Sequence, residues 1–137
     1  MKCFVDTSAF AALYHRTDEH HEHAKLIWAS LRQQEAVLYT SRDVISETVT
    51  LVRRRTGYRQ AVTCGNDLWE NPVLNLLRSD TRQDREAWEL FQQHADKEFS
   101  FVDCLSFVLM KEERIRAAFT FDRHFVQAGF ETARSDS

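Results

Sequence analysis

The sequence predicts an α/β fold in which a central, mostly parallel sheet is packed between helices. Three observations carry this expectation. Short apolar runs alternate with longer segments of helical period, the pattern of βαβ units. Only one Pro and three Gly occur in 137 residues, too few for the many turns of an all-β fold. Two acids, Asp6 and Asp122, each close a predicted strand, and in parallel sheets ligands bind beyond the carboxyl ends of the strands.

Residues 2–6 read as a short apolar strand, built on Cys3, Phe4 and Val5. Asp6-Thr7-Ser8 then offers turn and N-cap chemistry for a short helix over 9–15. A second helix is expected over 19–34, where Ala24, Ile27, Trp28 and Leu31 recur at helical spacing. Val37–Thr40 reads as a strand, Ser41 caps a helix over 42–55, and Gly57 ends it. Residues 58–70 form another helix, stopped by Asn71-Pro72, and 73–77 is a strand. Thr81 to His94 is helical, with Ala87, Trp88, Leu90 and Phe91 as core candidates. Ser100 begins a helix over 101–113. Ala117–Thr120 is a strand followed by a short helical turn, and 130–133 is a weak last edge strand. No repeat or linker interrupts the chain, so residues 1–137 are expected to form one domain.

With 43% hydrophobic residues and ten Phe, the chain has material for a core that needs no covalent staples. No apolar run approaches the roughly 20 residues of a membrane span. The N-terminus lacks a basic stretch followed by a long apolar one, so no secretory signal is read and a cytoplasmic location is expected. Cys3, Cys64 and Cys104 are an odd set without CxxC spacing, which suits buried free thiols in a reducing compartment better than disulfides or a metal site. The net charge of −3 excludes a globally basic nucleic-acid binder but leaves room for a local basic surface. Arg53, Arg54 and Arg55 are the densest basic run. A cationic helix C-terminus is favourable by itself, so a solvated helix end competes with a phosphate-contacting patch.

Four acids stand where solvated acids are not expected. Asp6 ends an apolar strand, and Asp122 ends Ala117-Ala118-Phe119-Thr120-Phe121. Glu47 shares a helix face with Val44 and Leu51, and Asp103 shares one with Phe99, Phe107 and Met110. A carboxylate in an apolar stretch is costly unless it is paired or binds a metal. Each also has a plain structural explanation. Asp6 and Asp122 are good turn caps, Glu47 is a fair partner for an Arg, and Ser100-x-x-Asp103 has the form of a capping box. The four together are better explained by one acidic pocket drawn from the whole chain. Two carboxylates about 4 Å apart repel by roughly 4 kcal/mol at an effective dielectric near 20. Such a pocket calls for one or two divalent cations, and oxygen-only ligands favour Mg²⁺ or Mn²⁺ over zinc.

The histidines do not compose a competing site. His20, His21 and His23 crowd the start of a helix without the i,i+4 pair and further ligands that zinc requires, so helix-end packing is expected. His124 is close enough to Asp122 in sequence to meet a phosphate, although packing is the better explanation. No Ser–His–Asp or Cys–His ordering stands out, and three scattered glycines build no phosphate loop.

Four segments carry a family resemblance: Phe4-Val5-Asp6-Thr7-Ser8-Ala9, Ser46-Glu47-Thr48, Ser100-Phe101-Val102-Asp103-Cys104-Leu105-Ser106-Phe107, and Phe119-Thr120-Phe121-Asp122-Arg123-His124-Phe125 followed by Ala128-Gly129-Phe130. In this order and spacing the chain resembles the PIN domain, and within it the VapC-type toxins of bacterial and archaeal toxin–antitoxin modules. Residues 57–99 carry little of that signature. The resemblance implies a three-layer α/β/α sandwich and a metal-dependent ribonuclease. It implies that Asp6 and Asp103 lie nearest the metal, that Glu47 is the acid of the third helix, and that Asp122 is the last and least uniform acid. Thr7, Ser100 and Thr120 match polar positions around the pocket. Homodimers, and an antitoxin whose tail covers the acidic cleft with an Arg, are implied in the same way.

The expected reaction is hydrolysis of an RNA phosphodiester by water, with Asp6, Glu47 and Asp103 holding a first metal and Asp122 a second metal or the water. A stand-alone RNA-processing PIN nuclease is the nearest alternative. A non-catalytic PIN-like binding module is disfavoured, because a scaffold has no reason to keep charge repulsion in its core stripe. A haloacid-dehalogenase-like phosphatase needs a second Asp two residues after the first, where Ser8 stands.

Overall fold

A computed structural model describes residues 1–135, so the last two residues of the expected domain lie outside the described ones. The elements follow in the expected order: β1 (Lys2–Val5), α1 (Thr7–Tyr14), α2 (His21–Gln33), β2 (Val37–Ser41), α3 (Arg42–Thr56), α4 (Tyr58–Trp69), β3 (Leu74–Leu77), α5 (Thr81–Gln93), α6 (Phe101–Glu112), β4 (Ala117–Phe119), α7 (His124–Gln127) and β5 (Glu131–Thr132). The five strands form one parallel sheet in the order β3-β2-β1-β4-β5, flanked by helices in an α/β/α sandwich.

Caps set the helix starts. Ser41 Oγ accepts from Val44 N–H at 3.0 Å and opens α3. Asp80 and Gln83 form a reciprocal capping box at α5, and Ser100 and Asp103 form another at α6. The first helix begins two residues earlier than expected. Asp6 itself is its N-cap, accepting from Ser8 N–H at 3.4 Å, which brings Thr7 and Ser8 into the first turn. Between α3 and α4 the chain turns at Gly57 with φ +106°, a region that side-chain-bearing residues rarely enter.

Parallel strands buried on both faces read as continuous apolar runs. In β1, Cys3, Phe4 and Val5 are all fully buried, and Cys3 pairs with Leu38 on one side and Ala117 on the other. Phe4, Ile45, Met110, Phe119 and Phe125 anchor the core around this central strand. All three cysteines are buried and free, as the odd set suggested.

Helix α5 corrects one expectation. Ala87 is fully buried and Leu90 packs partly on the core, but Trp88 is 50% exposed and Phe91 38% exposed. The helix packs chiefly on α6, so a narrow stripe suffices to cover it. Trp88 and Phe91 lie on its flank, stacked on each other, and meet Phe101 edge-on at centroid distances of 5.9 and 6.5 Å.

The strand order positions the site. From β1 the chain steps outward to β2 and β3, then returns to the other side of β1 for β4 and β5. The order reverses between β1 and β4, and a crevice opens there at the carboxyl ends of the strands. Asp6 follows β1 directly, and its N–H extends the ladder to Phe119 O at 3.0 Å. The loop after β4 carries Thr120 and Asp122 to the same edge.

Candidate active site

The four acids meet. Asp6, Glu47, Asp103 and Asp122 line one pocket of about 410 Å³, together with Thr7, Ser8, Ser100 and His124. Residues 97 positions apart in sequence, Asp6 and Asp103, become neighbours because β1 and the N-terminus of α6 end at the same crevice.

Each acid is held by hydroxyl or amide donors. Asp6 Oδ2 accepts from Thr120 Oγ1 and Ser8 Oγ, both at 3.0 Å. Glu47 Oε1 accepts from Thr7 Oγ1 at 2.6 Å. Asp103 Oδ2 accepts from Ser100 N–H at 2.9 Å, the returning arm of the capping box. Asp122 Oδ1 accepts from His124 N–H at 2.8 Å, while Asp122 N–H donates to Thr120 Oγ1 at 3.0 Å. The turn-cap explanations for Asp6 and Asp103 therefore hold alongside the pocket. One carboxylate both caps its helix and faces the crevice.

The electrostatics are those of crowded, poorly hydrated carboxylates. Burial, reinforced by the charge of Asp103, pushes the Asp6 carboxyl up to about 7 against the donors that bind it. Burial likewise raises Glu47, offset by the Thr7 hydroxyl and reinforced by the charges of Asp103 and Asp122. Asp103 is raised by burial, with the Ser100 amide and His124 acting in the opposite direction and Asp122 adding to the rise. No Lys enters the lining, and its one Arg, Arg55, is paired at 3.5 Å with Asp18. The donors and His124 offset only part of the crowding, and the repulsion that remains is of the kind a hard divalent cation removes.

His124, for which the sequence favours packing, joins the acids. Its Nδ1 lies 2.8 Å from Asp103 Oδ2 and 3.0 Å from Asp122 Oδ1. Both partners are carboxylate oxygens, so the tautomer with its proton on Nδ1 donates to them, and Nε2 is then the ring atom left for a ligand. Asp103, Asp122 and His124 bring ligand-type atoms within 4.8 Å of one another, the grouping that suits a metal ion. The spacing Asp122-x-His124 at the start of α7 was the available signal. If Asp103 and Asp122 are metal ligands, replacing His124 by Ala is expected to weaken Mn²⁺ binding by about 10- to 100-fold, the usual effect of losing a residue that orients such ligands. An Asn there, whose amide reaches the place of Nδ1, is expected to recover most of it. Calorimetric titration with Mn²⁺ checks both.

The basic run divides. Arg55 lines the acidic pocket, Arg54 lines an adjoining groove with Thr7 and Glu47, and Arg53 lies over the Tyr58 ring at 5.0 Å. His20, expected to pack at a helix end, stacks on Phe121 at the pocket wall.

The sequence pattern of the PIN domain family matches residues 3–131. The chain belongs to the PIN domain family. Over 133 residues this PIN domain is 38% identical to the 23S rRNA-specific endonuclease VapC20 of Mycobacterium tuberculosis, covering 97% of this chain and 98% of that protein. It is 25% identical over 127 residues to a VapC ribonuclease of Archaeoglobus fulgidus, covering 91% of this chain and 80% of that protein. The crystal structure of M. tuberculosis VapC20, described as a sarcin–ricin loop cleaving toxin, superposes with a TM-score of 0.90 over 96% of this chain and 98% of that one, again at 38% identity. VapBC2 of Rickettsia felis, bound to a DNA fragment of its promoter, shares the PIN fold at a TM-score of 0.71 and 13% identity, over 99% and 100% of the two chains. Among the described residues no helix is long and apolar enough to cross a membrane.

Proposed function

We infer that this PIN domain is a metal-dependent endoribonuclease, acting as the toxin of a toxin–antitoxin pair in the cytoplasm. The observation that carries the reading is the meeting of Asp6, Glu47, Asp103 and Asp122 in one pocket at the switch point of the sheet. The likeness to VapC20 over nearly the full length of both chains supports RNA as substrate, and 23S rRNA as the first RNA to try.

The donor set fits a hard divalent ion, and Mg²⁺ or Mn²⁺ is the proposed cofactor. Asp6, Glu47 and Asp103 are proposed to hold the first ion, with Asp122 holding a second or orienting water. When bound, such an ion polarises the phosphoryl oxygen and lowers the pKa of water. The protein's own groups make the acids ready. Thr120 and Ser8 fix the Asp6 carboxylate, Thr7 fixes Glu47, and Ser100 and His124 fix Asp103. Their carboxylates are oriented before the substrate arrives, so little reorganisation remains for the reaction itself.

Arg54 and Arg55 are proposed to contact RNA phosphates at the mouth of the pocket, whereas Arg53 is engaged with Tyr58. Arg55→Ala is expected to weaken RNA binding severalfold and to reduce the salt slope of log affinity by about one. Fluorescence anisotropy across a range of ionic strength checks this. An antitoxin segment covering the acidic pocket, and a homodimer, complete the proposal. The structures of VapBC-named relatives are consistent with an antitoxin partner.

The experiment that tests the reading is incubation of total cellular RNA with purified, antitoxin-free protein in Mg²⁺, Mn²⁺ or EDTA, with cleaved ends mapped. Cleavage confined to the metal-containing reactions, at few sites, is the expected result. Absence of cleavage by folded, metal-loaded protein would move the assignment to a binding module.

A further inference from the structure

The acidic pocket has an aromatic wall that neither the metal ligands nor the arginines account for. His20 and Phe121 both line it. Their rings are 4.5 Å apart and nearly parallel, with an interplanar angle of 4°. His23 closes on the same Phe121 from another side at 5.7 Å. The pair is held by contacts at both ends. Phe121 packs edge-on against the core residue Phe119 at 6.0 Å, and its N–H donates to Ser8 Oγ at 2.9 Å. The His20 N–H donates to Asp18 Oδ1 at 2.8 Å, which fixes the loop that presents the ring. The His20 side chain nevertheless remains 43% exposed. Phe121 is the residue immediately before Asp122, so the wall adjoins the acids directly.

We propose that His20, backed by Phe121, is the stacking platform for an unpaired nucleobase of the RNA, next to the phosphate held over the acids. The inference rests on the ribonuclease reading and names a subsite within it. The wall is poorly suited to a phosphate, because Asp18 and Glu19 flank it and Glu19 Oε1 lies 3.3 Å from His20 Nε2. A neutral base has no charge to be repelled, and its π-face matches a pre-flattened ring. Proteins that act on single-stranded or looped RNA hold splayed bases in this way on aromatic and histidine side chains. An order fixed before binding also lowers the entropy cost of the contact.

The test uses a synthetic oligoribonucleotide spanning the bond that the wild-type protein cuts in total RNA, and a series of the same oligonucleotide with one abasic residue at each position. Four proteins are compared: wild type, His20→Ala, His20→Phe and His20→Lys. Circular dichroism and Mn²⁺ titration first establish that each is folded and binds metal as wild type does. Loss of one stacked base is expected to lower kcat/KM about tenfold, chiefly through KM, in His20→Ala and His20→Lys. His20→Phe, which keeps the ring and drops the polar nitrogens, is expected to stay near wild type. One abasic position beside the cut is expected to reproduce the same loss in wild type and to add nothing in His20→Ala. Wild-type rates in His20→Ala and His20→Lys would overturn the proposal. So would activity kept by His20→Lys but lost in His20→Phe, which would mean a charge contact. If wild type cuts no RNA with either metal, the ribonuclease reading falls and the base site with it. If wild type cuts and no abasic position matters, only the base site falls.

Discussion

Asp6→Asn is expected to abolish RNA cleavage while making the metal-free protein more stable. The two effects have opposite signs because one carboxylate serves two roles. Asp6 is 4% exposed, and burial together with the charge of Asp103 raises its carboxyl to about 7. Asn is nearly the same shape and still accepts from Thr120 and Ser8, but it carries no charge to desolvate. Without that charge the proposed metal site loses a central ligand. A bound metal supplies several kcal/mol of transition-state stabilisation, so the loss of activity is expected to be on the order of a thousandfold or more. The apo melting temperature is expected to rise by several degrees, since about 1 kcal/mol shifts a domain of this size by roughly 4 °C. Cleavage assays and thermal unfolding in EDTA check the two halves. A variant that folds and cleaves as wild type would remove Asp6 from the chemistry. An apo variant less stable than wild type would remove the argument from repulsion.

The second large effect is the coupling of metal, pH and stability. In EDTA the protein is expected to lose stability as pH rises from about 4 to 7. An Asp in the unfolded chain releases its proton near pH 3.9, whereas Asp6 in the folded protein keeps it to about 7. Between those values the native state binds more protons than the unfolded state, so the slope of stability with pH is negative. A rise of about three pH units in one group corresponds to roughly 4 kcal/mol, fully expressed only above pH 7. Glu47 and Asp103 are raised in the same direction and extend the effect. With Mn²⁺ held by the ionised carboxylates of the native state, as proposed, a concentration a hundred times its dissociation constant is expected to add about 2.7 kcal/mol. Protons compete with it, so the gain is greatest at neutral pH. Melting temperatures from pH 5 to 8 are therefore expected to fall in EDTA, to flatten or rise in saturating Mn²⁺, and to fall less steeply for Asp6→Asn in EDTA. An EDTA series that climbs with pH through this window would contradict the crowded-carboxylate account.

Much of the fold was legible because its determinants are local. Ser41, Gly57, Ser100 and Asn71-Pro72 mark element boundaries through capping and backbone geometry that a few neighbouring residues decide. The uninterrupted apolar run of β1 announces a strand covered on both faces. Helix α5 shows where local reading fails. Its periodicity marks a helix correctly, but how wide a face the neighbouring α6 covers is a property of the packing, and it leaves Trp88 and Phe91 exposed. The four acids were legible as misfits, charged groups on strand ends and inward stripes. His124 was not, because a lone histidine beside a helix start looks the same whether it packs or bridges two carboxylates.

By itself the sequence determined the order and type of the elements, the caps, and the identity of the acids, since each depends on residues within a turn or two of one another. Only the tertiary structure decided what meets what. Thr7 reaches Glu47 across 40 residues, Thr120 reaches Asp6 across 114, and His124 reaches Asp103 across 21. It also decided that Arg55 belongs to the pocket and Arg53 to Tyr58, and that His20 lies flat on Phe121. The physical reason is the reversal of strand order between β1 and β4, which gathers distant segments at one crevice. Burial in that crevice raises the carboxyls, and neither burial nor the approach of like charges exists until the chain has folded.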